Sequence, residues 1–341
     1  MDTPGLDSGH LLSLTGALRG KAVVVVGDVV ADEFVYGRVS RVSREAPVLI
    51  LEYDSSEIVA GGAGNAANNI AAFGGRASLV ALVGRDVPGR RLVSALRKGV
   101  EARHMLRVAG MATPVKTRIL AGGVHSAKQQ VVRIDRGVAP TLTPRVRAAF
   151  ERAVLKAIAR ADAVLVSDYG SGLITPGLVR GIRRNLVQAR RPVPILIDSR
   201  YRLLAYHGLT ACTPNQSEVE QALGVRINDD TRLLEKAGRE ILERTRTQAV
   251  LVTRGSHGMA LFVRNRPVVH IPIFGSDAIV DVTGAGDTVV SAMALALAAG
   301  GDFEAAARLA NYAGGLVVMK RGTATVGVNE LRRAISKDSR G

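Results

Sequence analysis

Short apolar runs alternate along this chain with longer stretches of helical period. The runs Ala22–Val26, Ala163–Val166, Ile195–Ile197 and Val250–Val252 are too short for helices and too uniformly apolar for strands with one wet face. They predict strands buried on both faces, as parallel sheets are when helices cover them. Repetition of strand, helix and strand predicts an α/β protein with a mainly parallel central sheet. A first strand is expected over Lys21–Gly27 and another over Ala77–Val83. Helix starts are marked locally by Asp86 with Pro88, by Thr143-Pro144 and by Thr175-Pro176, each a capping side chain before an early proline.

Two segments break this rhythm. Residues 34–59 and 112–137 carry Gly, Ser and Pro among alternating residues with little helical period, so each predicts short extended strands. Inserted into a β/α succession, they are expected to form a small β lid over one end of the sheet. The core would then comprise residues 21–33, 60–111 and 138–341, with 1–20 as an N-terminal extension.

Composition narrows the function. A chain of 341 residues, 47% hydrophobic, is long enough for a large core. The single Cys212 leaves no internal disulfide or multi-Cys zinc site, and the six histidines show no metal spacing. No apolar run approaches the length of a membrane span, and the start lacks the basic and apolar regions of a signal peptide. A cytoplasmic location without membrane association is expected. The net charge of +16 points toward anionic partners, but the cations are spread along the chain and aromatic residues are only 4%. A phosphorylated small molecule is therefore expected, and no nucleic acid.

The chemistry concentrates in "DVTGAGDTVV", residues 281–290. A glycine turn entering a helix leaves backbone N–H groups unpaired at the positive end of the helix dipole, which suits an anion. Asp-x-Thr-Gly-x-Gly-Asp arises by chance in roughly one chain in several thousand. Asp287 in the first turn would sit beside the anion. This arrangement suggests phosphoryl transfer, with the N–H groups of Ala285, Gly286 and Asp287 holding the γ-phosphoryl and Asp287 as general base. No G-x-x-x-x-G-K-[ST] is present, which excludes a P-loop enzyme.

Taken together, "DVTGAGDTVVSAMALALAAG", "GGAGNAANNIAAFGG", "TPNQSEVE" and "VTRGSHGM" resemble the ribokinase-like (PfkB) family of carbohydrate kinases, over about Lys21 to Val328. Within it, "VVGDVVADEFVYGRVSRVSREAPVLI", "KQQVVRID", "VLVSDYGSGLI" and "GTATV" are most similar to the heptose-7-phosphate kinases. The resemblance implies a three-layer ribokinase-like fold and an enzyme that uses ATP and Mg²⁺. It implies transfer to a sugar or sugar-phosphate hydroxyl, here the anomeric hydroxyl of D-glycero-D-manno-heptose 7-phosphate, on the way to the ADP-heptose of lipopolysaccharide. Other PfkB acceptors, such as ribose, fructose or adenosine, are the alternative, and a non-catalytic sugar or nucleotide sensor is the reading outside enzymes. Some relatives carry a nucleotidyltransferase domain with His-x-Gly-His; that motif is absent here, so the kinase half alone is expected.

Matched position by position, the resemblance implies Asp287 as base and Gly284, Ala285 and Gly286 as anion hole. It implies a substrate site of Asp32, Gly61, Gly62, Asn65 and Asp168, with Lys128, Gln129 and Arg133 of the lid, and Arg41 and Arg44 beyond, as candidates for a distal phosphate. Asn215, Glu218, Thr253, Arg254 and Gly255 would serve the nucleotide, Glu218 reaching the metal through water, and Asp281 would support the turn or the metal's water shell. A homodimer through the lid is implied as well. The subgroup's usual Asp-Tyr-Ala-Lys-Gly reads Asp168-Tyr169-Gly170-Ser171-Gly172 here, and its Asp-Pro-Lys reads Asp198-Ser199-Arg200. Two phosphate-competent lysines are thereby absent, one replaced by Arg200, which is not an equivalent group.

Overall fold

The computed structural model describes residues 8–122, 128–137, 142–275 and 280–339. Helix α1 (Ser8–Ala17) leads to strand β1 (Ala22–Gly27), then β2 (Val29–Val42) and β3 (Leu49–Gly62). Helix α2 (Ala63–Ala72), β4 (Arg76–Val80), β5 (Leu82–Gly84), α3 (Val87–Ser94), β6 (Val100–Glu101) and β7 (Leu106–Val108) follow. Next come β8 (Val115–Gly122), β9 (Gln129–Arg136), α4 (Pro144–Ile158), β10 (Ala163–Asp168), α5 (Pro176–Gln188), β11 (Ile195–Ser199) and β12 (Ala211–Cys212). The chain continues through α6 (Gln216–Leu223), α7 (Thr231–Thr245), β13 (Ala249–Thr253), β14 (Met259–Val263) and β15 (Val269–Ile271). Helices α8 (Ala285–Ala298), α9 (Phe303–Val317) and α10 (Val328–Asp338) complete it.

Nine strands form the central sheet in the order β15-β14-β13-β12-β11-β10-β1-β4-β6. Its pairings are parallel from β6 to β13 and antiparallel only at β14 and β15. Strand alternation divides the core. Val23 and Val25 of β1 point into a cluster with α2, α8 and α9, whereas Val24 and Val26 point into one with α4, α5 and α7. These are the three layers of a ribokinase-like fold. Ala81 separates β4 from β5, so the apolar stretch expected as one strand over Ala77–Val83 is two, and β5 pairs with β7 instead. Asp86, Thr143 and Thr175 each cap their helix through a side-chain oxygen.

A second sheet of four strands, ordered β3-β2-β8-β9, stands apart from the first. Strand β2 begins earlier and β3 ends later than the spacing of turn residues suggests: Val29–Glu33 and Ala60–Gly62, expected in the core, belong to the β2–β3 pairing, Val29 opposite Gly62 and Glu33 opposite Ile58. Within the stretch set aside as an N-terminal extension, α1 puts Leu11 and Leu14 into the main core, with Leu18 behind them; residues 1–7 lie outside the described residues. Cations that look dispersed along the chain collect in space. Arg145, Arg152, Lys156, Arg180, Arg183 and Arg184 are exposed on neighbouring helices α4 and α5, where no acidic residue is equally exposed.

Candidate active site

The carboxyl ends of the parallel strands and the inner face of the lid enclose a cavity of about 530 Å³. Open α/β sheets bind ligands at this edge, because the loops leaving the strands converge there. Asp168 ends β10, Asp198 lies on β11, Thr213 follows β12 and Thr253 ends β13, and all line the cavity. The lid contributes Asp32, Lys116, Arg118 and Arg133, and the turn into α8 contributes Gly284, Ala285, Gly286 and Asp287.

Gly284 adopts φ 77°, a left-handed conformation that favours glycine. A Cβ there would also lie 2.5 Å from the Asn65 amide nitrogen, so the turn and Asn65 fit only because the side chain is missing. Ala285 departs from expectation: its N–H donates to the Val282 carbonyl at 3.2 Å and is not available to a ligand. Thr288 N–H is likewise taken, by Gly284 O. Gly286 and Asp287 are left as the two donors of the helix mouth without an acceptor among the described residues. A Cβ on Gly286 would meet nothing within 4 Å, so the cavity opens directly over that backbone.

Asp287 is 3% exposed. Its Oδ2 accepts from Asn65 Nδ2 at 2.9 Å and its Oδ1 from the Tyr169 hydroxyl at 3.1 Å. Burial pushes its pKa up to about 7, against the hydrogen bonds from Asn65 and Tyr169, which hold it down; the charge of Asp32 adds to the rise. Asn65, expected at the substrate, instead stands behind the base and does not line the cavity. Although burial works against its charge, Asp281 is held below the usual carboxylate range by N–H donation from Thr283 at 2.8 Å and Gly322 at 3.0 Å. It fastens the turn to the loop after α9.

On the lid side, Asp32 is buried and ion-paired with Arg118 Nη1 at 2.5 Å. A Cβ on Gly61 would lie 2.2 Å from Asp32 Oδ2, so Gly61 is required by the carboxylate beside it. Gly62 lines the cavity at the start of α2. Arg118 lies opposite Arg133 in the β8–β9 register, and Lys116 sits two residues before Arg118 on the same strand face. Burial lowers the Lys116 pKa, with Arg200 and Arg133 adding to the effect against Asp32. Lys128 does not join them. It pairs with Asp54 and lies 5.5 Å from the Tyr36 ring, on the lid and outside the cavity lining, as is exposed Gln129. Arg41 and Arg44 are solvent-facing at the far end of the β2–β3 hairpin.

On the other side, Asn215 and Glu218 both line the cavity and form a reciprocal capping box at 2.9 Å in each direction. Burial raises the Glu218 pKa against these bonds, and it raises Asp198 well above the usual carboxylate value, with Glu218 and Asp287 as like-charged neighbours. The hydroxyl of Thr213 is buried without a partner among the described residues, an unused donor on the cavity wall. Thr253 and Gly255 line the same wall, whereas Arg254 turns away to Gln216 Oε1 at 3.2 Å. Asp168 lines the cavity but is occupied internally by Ser199, Tyr206 and Gly170 N–H. Sequence reasoning missed Lys116, Arg118, Tyr169, Asp198 and Thr213 as site residues; the last three lie inside the motifs quoted above without being singled out, and the alternation of Lys116 and Arg118 in "VKTRIL" is the signal for the other two.

A backbone anion site, a buried carboxylate at its edge and a ring of cations under a lid are the equipment of a phosphotransferase acting on a small molecule. Residues 21–330 match the family described as pfkB family carbohydrate kinase, and the chain belongs to that family. The bifunctional protein HldE of Bradyrhizobium diazoefficiens is 39% identical over 337 residues, covering 98% of this chain and 66% of its own. That of Caulobacter vibrioides is 41% identical over 328 residues, 96% of this chain and 66% of the relative. The chain thus spans about two thirds of the length of these relatives. In fold it is similar to Arabidopsis thaliana ribokinase complexed with ribose and ATP, at TM-score 0.71, 20% identity and coverage of 93% and 99%. It is also similar to Escherichia coli phosphofructokinase-2 in complex with fructose-6-phosphate, at TM-score 0.73, 18% identity and coverage of 94% and 99%.

Proposed function

We propose that this carbohydrate kinase transfers the γ-phosphoryl of ATP to the anomeric hydroxyl of D-glycero-D-manno-heptose 7-phosphate. The observation that carries the acceptor is the set Lys116, Arg118, Arg133 and Arg200, all lining the cavity that holds Asp287. A neutral sugar gives little use for four cations gathered around one cavity, whereas an acceptor that already bears a phosphate repays the desolvation of the two partly buried ones, Lys116 and Arg118, and offers exposed Arg200 and Arg133, now paired with Asp135, an anion to bind. Arg200 stands where the subgroup has lysine and supplies a planar fork in its place.

Asp287 accepts the proton of the attacking hydroxyl while the N–H groups of Gly286 and Asp287 hold the phosphoryl oxygens. Asp32 accepts from the sugar, with Arg118 holding its Oδ1. The Thr213 hydroxyl, without a partner among the described residues, and the side-chain-free wall at Gly314 and Gly315 suit the nucleotide. Among the described residues no three acidic, His or Cys side chains stand close enough to cage a metal. The raised carboxyls of Asp198 and Glu218 fit Mg²⁺ held mainly by phosphate oxygens and water, with these groups as outer partners. Bound there, the ion supplies charge neutralisation on the phosphates.

ATP consumption over a panel of sugars and sugar phosphates tests the acceptor. Turnover with heptose 7-phosphate, and a KM for it raised about tenfold or more by Arg133→Ala with KM for ATP little changed, is expected. Turnover with a simple sugar and none with the heptose phosphate would overturn the acceptor and leave the kinase standing. A homodimer through the lid is part of the same proposal, supported by exposed Val132 and Ile134 on β9, an edge strand exposed along its whole length.

A further inference from the structure

Tyr169 has no part in the transfer described above, yet it meets the base, two cations of the cavity and the buried Asp28 carboxylate. Its hydroxyl donates to Asp287 Oδ1 at 3.1 Å. Its ring lies 5.4 Å from Lys116 Nζ and 5.6 Å from the Arg200 guanidinium carbon, within cation–π range of both. Its backbone N–H donates to the buried Asp28 carboxylate at 2.9 Å, and a second N–H and a hydroxyl from Ser171 reach the same group. On one flank, a Cβ on Gly62 would approach the ring edge at 3.5 Å. The phenol is fixed from behind by the end of β1 and meets the base in front.

We propose that Tyr169 is a positioning residue for phosphoryl transfer, its hydroxyl and the Asn65 amide clamping one oxygen each of the Asp287 carboxylate while its ring seats Lys116 and Arg200. The proposal rests on Asp287 being the base. An ionised carboxyl has about four acceptor positions, so one donor on each oxygen fixes the plane of the group and leaves room for the acceptor's proton. Asn65 is itself held, since Asn69 Nδ2 donates to its Oδ1 at 3.1 Å, so neither jaw swings freely. The groups around Asp287 are then Asn65 of α2, Asp32 of β2, Tyr169 after β10, and Asp198 and Arg200 at the end of β11. Of these, the two clamping donors alone form hydrogen bonds to it; the rest act through their charge.

The hydroxyl and the ring have separable effects. Tyr169→Phe keeps the surface under both cations and removes the donor, so the base loses a bond that favours its ionised form. The acid limb of kcat/KM against pH, measured on the full chain with ATP and the acceptor, is expected to move up by about one pH unit. At pH 7, kcat falls about fivefold with both KM values within about twofold. Tyr169→Leu removes the ring as well and raises KM for the phosphorylated acceptor. A fluorinated tyrosine at 169, a stronger donor, moves the limb down, and this second measurement stands even if Tyr169→Phe fails to fold. An acid limb unmoved by both the Phe and the fluorotyrosine forms would overturn the clamp. Asp287→Asn separates the two levels. If that variant keeps near-normal turnover, the base assignment fails and the clamp with it. If it loses turnover while the Tyr169 variants leave the limb in place, only the clamp is lost.

Discussion

Asp287 is placed where its charge is disfavoured, and this has a stability consequence as well as a catalytic one. Its folded pKa of about 7 lies above the 3.8 of an exposed aspartate, so the folded chain holds this proton more tightly than the unfolded chain. The stability tied to that proton is fully present below about pH 4 and is lost as pH rises through 7, by at most about 4 kcal/mol. Asparagine fits the same two partners, accepting from Asn65 and donating to the Tyr169 oxygen. Asp287→Asn is therefore expected to melt a few degrees above the unaltered chain at pH 8 and at the same temperature at pH 4. Its kcat should fall at least about a hundredfold. Calorimetry at the two pH values and an assay of ADP release check the pair of effects. An equal melting temperature at pH 8 would mean that the carboxylate is not under this strain. At this scale the sequence is legible where one short motif contains the whole device, as in Gly284–Asp287. It is not legible for Tyr169 or Asn65, because the partner that gives each its role lies 118 or 222 residues away.

Among the elements, helix starts are written locally and sheet pairing is not. Thr143, Thr175 and Asp86 cap their helices with contacts three residues along, within reach of any reading of the chain. Strands β6 and β12 are two residues long, shorter than any period, and exist because parallel neighbours on either side of β12, and β4 beside β6, hold them. The lid shows the same limit. Strand β2 runs past Gly37 with an irregular register against β3, so its true length depends on its partner and not on the turn residues within it. The strand alternation has a further use. Arg133 lines the cavity, so Val132 and Ile134, on the opposite face of β9, point away from it. They are 46% exposed each, on an outer strand with one unpaired edge. Natural sheets rarely leave such an edge bare. Val132→Glu with Ile134→Glu is expected to halve the mass of the proposed homodimer as measured by light scattering. An unchanged mass would place any subunit contact elsewhere.

For the molecule as a whole, the parallel sheet followed from the apolar runs, and the edge at which its strands end positions the chemistry. No helix among the described residues is long and apolar enough to cross a membrane. The net charge of +16 was legible as a sum, but the gathering of exposed cations on α4 and α5 was not, since two helices separated by a strand become neighbours only after folding.

Tyr169 also has company. The chain has six tyrosines and no tryptophan, and Tyr36, Tyr206 and Tyr312 likewise donate their hydroxyls to carboxylates, those of Glu57, Asp168 and Asp338. Burial first, and the neighbouring negative charge after it, raise the pKa of all four phenols, that of Tyr36 to about 12. The protein's near-ultraviolet spectrum is thereby expected to gauge its own folding: these four chromophores should stay in their neutral form through the pH range where free tyrosine turns to tyrosinate. Absorbance at the tyrosinate band, followed as pH is raised through 10 to 11, should stop short of the value for the unfolded chain, and the remainder should appear in one step with unfolding.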